Sequence, residues 1–125
     1  MPKIFEVTPP RGCLLVQPYN SEVGVPLTVC RITPTTRHLV VEMGARGIGH
    51  IAQLCAIAPP RIAAVLNVGT AHVGEFGGQR EIAQAKGEIV EALGADGVAV
   101  LNADDPFAAA MTSRTAARTL SFGVD

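Results

Sequence analysis

The sequence predicts an α/β fold, a mostly parallel sheet with helices on both faces, and two observations carry that prediction. From residue 38 onward, apolar strand-like runs alternate with helical patterns. The runs are nearly continuous in apolar and β-branched residues, as in strands buried on both faces of a parallel sheet.

The elements follow in order. Residues 1–11, MPKIFEVTPPR, read as a tail, and GCLLVQP (12–18) as a short strand, so 1–18 stand apart from the rest. YNSEVGVPLTVCRI (19–32) reads as a loop running into a helix near Pro26. HLVVEMG (38–44) is an apolar strand ending at a glycine. GHIAQLCAIAPP (49–60) places Ile51, Leu54, Cys55 and Ala58 on one helical face and stops at Pro59-Pro60. RIAAVLNVG (61–69) is a second buried strand. Residues 79–94 form a helix with Gly94 as its C-cap. GVAVLNADD (97–105) is a strand ending in a turn, and PFAAAMTSR (106–114) is a helix with Pro at its first position. ARTLSFGVD (117–125) is a last strand.

Bulk properties bound the function. A chain of 125 residues, 48% hydrophobic and 17% charged, is enough for one compact core. A net charge of -1 predicts no nucleic-acid partner and no attraction to anionic membranes. No apolar run reaches the roughly 18 residues of a membrane span, and the N-terminus lacks the apolar stretch of a signal peptide. Cys13, Cys30 and Cys55 are odd in number and far apart, so they read as small core residues of a protein in a reducing cytoplasm.

In parallel α/β sheets the ligand sits beyond the C-terminal ends of the strands. Glu42, Asn67 to His72, and Asn102 to Asp105 are therefore the places to look. Glu42 interrupts an apolar strand, and an unpaired carboxylate there costs several kcal/mol. An arginine, a metal or a hydrogen-bond network satisfies it. His72 lies in GTAHVGEFGG, where Gly69, Gly74, Gly77 and Gly78 let the backbone approach a ligand. It is either a solvated loop histidine or, with Glu42, part of a shell for Mg²⁺ or Mn²⁺.

Lys86 is one of two lysines against eight arginines. It shares a helix face with Ile82, Ile89, Val90 and Leu93. Its side chain snorkels along that face or holds its amine in a low-dielectric pocket. In the pocket its pKa falls, and it can react, for instance with carbon dioxide to give a carbamate. Asn102-Ala103-Asp104-Asp105-Pro106 is ordinary turn chemistry or a nucleotide contact. No G-x-x-x-x-G-K-[ST] and no G-x-G-x-x-G opening a helix after a strand occurs in these 125 residues.

Five ordered stretches together resemble the central ATPase domain of the Mur ligase family. They are NSEVGVPLT (20–28), VVEMGARGIGHI (40–51), NVGTAHVGEFG (67–77), AKGEI (85–89) and LNADDP (101–106). Within the family the likeness is nearest to the members that add D-alanyl-D-alanine. The resemblance covers residues 19–125 as a partial central domain of P-loop type, lacking its P-loop strand. It implies a cytoplasmic enzyme of peptidoglycan synthesis that uses ATP and Mg²⁺. Such an enzyme joins D-alanyl-D-alanine to a UDP-muramoyl-peptide through an acyl phosphate and a tetrahedral intermediate. It implies that Glu42 and His72 are Mg²⁺ ligands, that Lys86 is carbamylated and holds metal, and that Asn20 approaches the muramoyl substrate. Asn102 is the nucleotide-contact candidate. Family members usually carry two adjacent asparagines at the position of Asn20; here the pair is Asn20-Ser21.

Family members have three domains, with the phosphate-binding loop upstream of the stretch matching Asn20. Only 19 residues precede Asn20 here, and none fits that loop. The expectation is a fragment, a truncated gene product or a remnant, with self-association through the edge that the P-loop strand leaves. Two rival readings remain: a non-catalytic binding module derived from such a ligase, and an unrelated metal-dependent phosphohydrolase.

Overall fold

The computed structural model describes residues 11–15, 21–69 and 77–124. Among them the elements are β1 (Cys13–Leu15), α1 (Gly24–Val29), β2 (His38–Val40), α2 (His50–Ile57), β3 (Ile62–Val65), α3 (Gln79–Glu91), β4 (Val98–Asn102), α4 (Pro106–Ala110) and β5 (Arg118–Phe122). A 3₁₀ turn, Met111–Arg114, follows α4 directly. The predicted alternation of strand and helix is present, and every strand pairing is parallel. The strands form two ladders, β1-β2 and β3-β4-β5.

Several boundaries differ from expectation for local reasons. Helix α3 ends at Glu91 with Ala92 as C-cap, short of Gly94. Gly94 instead accepts the Gly97 N–H in the turn that starts β4. The predicted helix over 106–114 tightens to 3₁₀ after Ala110, where Thr112 and Ser113 hydroxyls bond back to the carbonyls of Ala109 and Ala110. Such back-bonding competes with regular helix. Of the three cysteines, all free, only Cys55 is buried; Cys30 is exposed.

The core lies between β3-β4 and the helices that follow them. Ala63, Val65, Ala99 and Leu101 present one sheet face to Ile82 and Val90 of α3, Ala108 of α4, and Met111. Each large apolar side chain buried there contributes about 1.5–3 kcal/mol. Burial alternates along β3, so its other face is open among the described residues: Ile62 is 69% exposed and Leu66, just past the strand, 65%. The apolar runs predict cover on that face as well. Here the described helices cover one side.

Helix α2 packs against α3 rather than on the β3-β4-β5 ladder, burying Ile51, Leu54 and Cys55. Strand β2 is short and mostly exposed and pairs with β1. Among the described residues β2 has no hydrogen-bonded pairing with β3.

Candidate functional site

Strand β3 ends at Val65, and the chain continues through Leu66, Asn67, Val68 and Gly69. Three side chains from later elements hold this end. Lys86 Nζ donates to the carbonyls of Asn67 (3.0 Å) and Val68 (3.1 Å). Asn102 Nδ2, from the end of β4, donates to the Leu66 carbonyl at 2.9 Å. Asp105 Oδ2 accepts the Val68 N–H at 2.7 Å. A strand end has no ladder partner for these backbone groups, and each buried one left unmade costs about 1–3 kcal/mol.

Lys86 is half-buried, so it neither lies in the core nor snorkels to open water. Burial pushes its pKa below the ordinary lysine value, and the nearby charge of Asp105 pulls in the opposite direction. Asp105 is itself an N-cap. Its Oδ1 accepts the N–H groups of Phe107 (2.9 Å) and Ala108 (3.1 Å), which explains why α4 starts at Pro106. Burial alone would raise the carboxyl. The N–H groups of Val68, Ala108 and Phe107, with the charge of Lys86, outweigh it and hold the pKa below the usual aspartate value. An open cleft of about 570 Å³ lies beside this end, lined by Asn67, Gly69, Gln79, Asp104, Asp105 and Phe107 among others.

The end of β2 is built differently. Glu42 lies two residues past the strand and is exposed. Met43, next to it, receives the Cys55 thiol of α2 on its sulfur at 3.7 Å. The chain then turns through Gly47 and Gly49, and His50 Nδ1 accepts the Arg46 N–H at 3.2 Å. Gly49, the N-cap of α2, has φ +93°, which L side chains rarely adopt, and no side chain of its own to cap the helix. Glu88 of α3 supplies the cap. Its Oε1 accepts the Gly49 N–H at 2.5 Å and its Oε2 the Ala52 N–H at 2.9 Å. The carboxylate is only 8% exposed. Burial, then the charge of Glu88, pushes the Cys55 thiol up.

Helix α3 is held from a third side. Arg114 of the 3₁₀ turn donates to the carbonyls of Ala83 (3.0 Å) and Gln84 (2.9 Å) and pairs with Glu91 at 2.6 Å. Its guanidinium occupies the space that a Cβ on Gly87 would need.

The structure thus places Lys86 and Asn102 together at the end of β3, and Glu42 at the end of β2. Asn20 and His72 lie outside the described residues. Among the described residues no cluster of three His, Cys, Asp or Glu side chains is placed to hold a metal ion. Asn102 uses its side chain as a turn residue, its Oδ1 accepting the Asp104 N–H at 2.9 Å as well as its amide bonding Leu66. Sequence reasoning missed Glu88, Asp105 as a brace and Arg114. Two signals were there to find them. A helix starting at Gly49 needs a cap from elsewhere. A glycine at 87, inside a helix, costs about 1 kcal/mol and calls for a close neighbour.

Residues 13–125 match the model of the Mur ligase middle domain. The chain is 50% identical over 121 residues to the UDP-N-acetylmuramoyl-tripeptide--D-alanyl-D-alanine ligase of Mycobacterium tuberculosis, covering 95% of this chain and 24% of that protein. It is similar in structure to MurF from Acinetobacter baumannii (TM-score 0.82, 34% identity, 91% of this chain and 25% of that one). A like match is the MurF ligase of Thermotoga maritima in complex with ADP (TM-score 0.80, 38% identity, 90% and 26%). The chain spans about a quarter of the length of the relatives it matches.

Proposed function

We propose, from the premise that this chain belongs to the Mur ligase family through its middle domain, that it is the nucleotide-processing part of an ATP-dependent carboxylate–amine ligase. The reaction is the addition of D-alanyl-D-alanine to UDP-N-acetylmuramoyl-tripeptide in peptidoglycan synthesis, in the cytoplasm. ATP phosphorylates the tripeptide carboxylate to an acyl phosphate, releasing ADP. The dipeptide amine attacks, and the tetrahedral intermediate collapses to the amide and phosphate. The observation that carries this reading is Lys86: a half-buried amine bound to the carbonyls of Asn67 and Val68 at the end of a parallel strand.

In this reading the neutral Lys86 amine adds carbon dioxide, forming an N–C bond and releasing one proton as the carbamate forms. Burial favours the neutral amine; Asp105 favours the ammonium. A carbamate nitrogen keeps one N–H, so at most one of the two carbonyl contacts survives. Glu42, His72 and the carbamate are hard oxygen and nitrogen donors, a set that suits Mg²⁺. Bound there, Mg²⁺ would neutralise charge on the transferring phosphoryl group. Asn20 contacts the muramoyl substrate and Asn102 the nucleotide. No helix among the described residues is long and apolar enough to cross a membrane. The open face of β3, with Ile62 and Leu66, supports self-association of this chain alone. A sedimentation coefficient that stays at the monomer value at every concentration would refute that.

The test of the whole reading is ADP release by a ligase containing this segment. Release should require both the UDP-linked tripeptide and D-alanyl-D-alanine. Turnover with neither dependence overturns the ligase and favours the phosphohydrolase. The 125 residues alone, with no G-x-x-x-x-G-K-[ST] among them, should release no ADP at all.

A further inference from the structure

We propose that Glu88 is a positioning residue that fixes the Glu42 segment relative to Lys86; the inference rests on the metal-site reading above. Lys86 and Glu88 are two residues apart on α3, about 200° around the helix, so they work on different sides of it. On one side Lys86 grips the end of β3. On the other, the Glu88 carboxylate accepts both the Gly49 N–H and the Ala52 N–H at the start of α2. These are the N-cap and N3 donors of that helix. Ordinarily the helix's own side chains satisfy them, and here a carboxylate from another helix does so. From α2 the connection continues through Cys55 to Met43, the neighbour of Glu42. The run 46–50 is closed by the Arg46 to His50 bond. Glu88 therefore sets the distance between two ligand-bearing segments that share no strand pairing among the described residues. Its role is alignment, with no contact to substrate. Two measurements on this chain in bicarbonate buffer test it: amide hydrogen exchange at Gly49 and Ala52, and Mn²⁺ affinity by electron paramagnetic resonance. Glu88→Gln keeps the size but offers only one acceptor to two N–H groups. It should speed exchange at both amides and weaken Mn²⁺ binding about tenfold, the usual cost of losing an outer-shell support. Gln53→Gly, an exposed change that loosens α2 and keeps the clamp, should leave Mn²⁺ affinity at the parent level. If Glu88→Gln does not fold, Glu88→Asp, one methylene too short for both donors, is held to the same criteria. Unchanged Mn²⁺ affinity in the Glu88 variant overturns the inference alone. So does equal weakening in Gln53→Gly, which would make Glu88 a helix stabiliser only. A parent chain that binds no Mn²⁺, or binds it equally well as Lys86→Ala, overturns the metal-site reading and this inference with it.

Discussion

The ends of β2 and β3 are held by different partners. The end of β3 is gripped directly: Asn102, Lys86 and Asp105 bond the backbone of Leu66, Asn67 and Val68. These side chains come from the next helix, the end of the next strand and the turn after it. The segment after β2 is tied to a helix, through Met43 on Cys55 and through the Glu88 cap on α2. The difference teaches where precision comes from. The end of a strand that belongs to the three-stranded ladder inherits its position from that sheet. One on a short, exposed ladder needs a neighbouring helix to carry it.

The largest expected effect breaks the direct grip. In a ligase carrying this segment, Lys86→Ala should lower kcat by about 10²–10³-fold, the range for losing one preorganised charge-stabilising group. Lys86→Arg sharpens the comparison. A guanidinium has enough donors to keep bonding the Asn67 and Val68 carbonyls, but it forms no carbamate. It should restore thermal stability and leave kcat as low as alanine does. Parent-level turnover in Lys86→Arg would mean that a cation gripping the backbone is all that the site needs.

Gly87→Ala acts on α3, which serves both ends. Its Cβ falls inside the Arg114 guanidinium, so the clasp on Ala83, Gln84 and Glu91 must open. Overpacking costs about 1–3 kcal/mol, and alanine's helix propensity returns about 1. Urea denaturation should show a net loss, and that loss should vanish when Arg114→Ala is the background. A loss that persists without Arg114 would point to some other neighbour.

Asp105→Asn leaves one oxygen where two accept, so with α4 still capped the Val68 N–H faces an amide NH₂, and it removes the charge that the Val68, Phe107 and Ala108 N–H groups stabilise. The expected loss is about 1–2 kcal/mol near neutrality. The Asp105 pKa is lower in the folded chain than in the unfolded one. Its contribution is therefore present above the unfolded value, about 3.9, and is lost as pH falls through the folded value. The variant's stability should lack that acid-side decline. Parallel acid titrations of the two proteins, with the same slope below pH 4, would remove Asp105 from the brace.

How far the sequence could be read follows the same division. From Ile62 onward, apolar period and turn chemistry make strands, helices and the Asp105 turn legible within a few residues, although one face of β3 that the apolar run predicts to be covered is open among the described residues. Lys86 stood out because a charge on the Ile82–Val90 face is costly. Before residue 58 the buried surface depends on α2 meeting α3, a contact between stretches some 36 residues apart that no local pattern encodes. Glu88 looked like any charged helix residue, because its partners are backbone N–H groups that have no letter in the sequence. Nor is the pairing of β2 with β1 legible: period predicts strands, and it does not say which strand is the neighbour.

The smallest expected effect separates the turn role of Asn102 from any other. Its amide donates to the Leu66 carbonyl, and its Oδ1 accepts the Asp104 N–H, both near solvent. Asn102→Ala loses two exposed hydrogen bonds and should cost about 0.5–1.5 kcal/mol. Asn102→Asp is nearly the same shape, yet it should be worse at pH 7. One carboxylate oxygen keeps the Asp104 N–H, while the other is turned toward the Leu66 carbonyl, two acceptors face to face. Protonation gives that oxygen a hydrogen to donate, so the folded pKa of the new carboxyl is raised. The stabilisation is then full below the unfolded value and lost as pH rises through the folded one. The aspartate variant should therefore approach the parent near pH 4 and fall below the alanine variant near pH 7. If aspartate and alanine track each other across that range, the Leu66 bond contributes nothing, and the end of β3 rests on Lys86 and Asp105 alone.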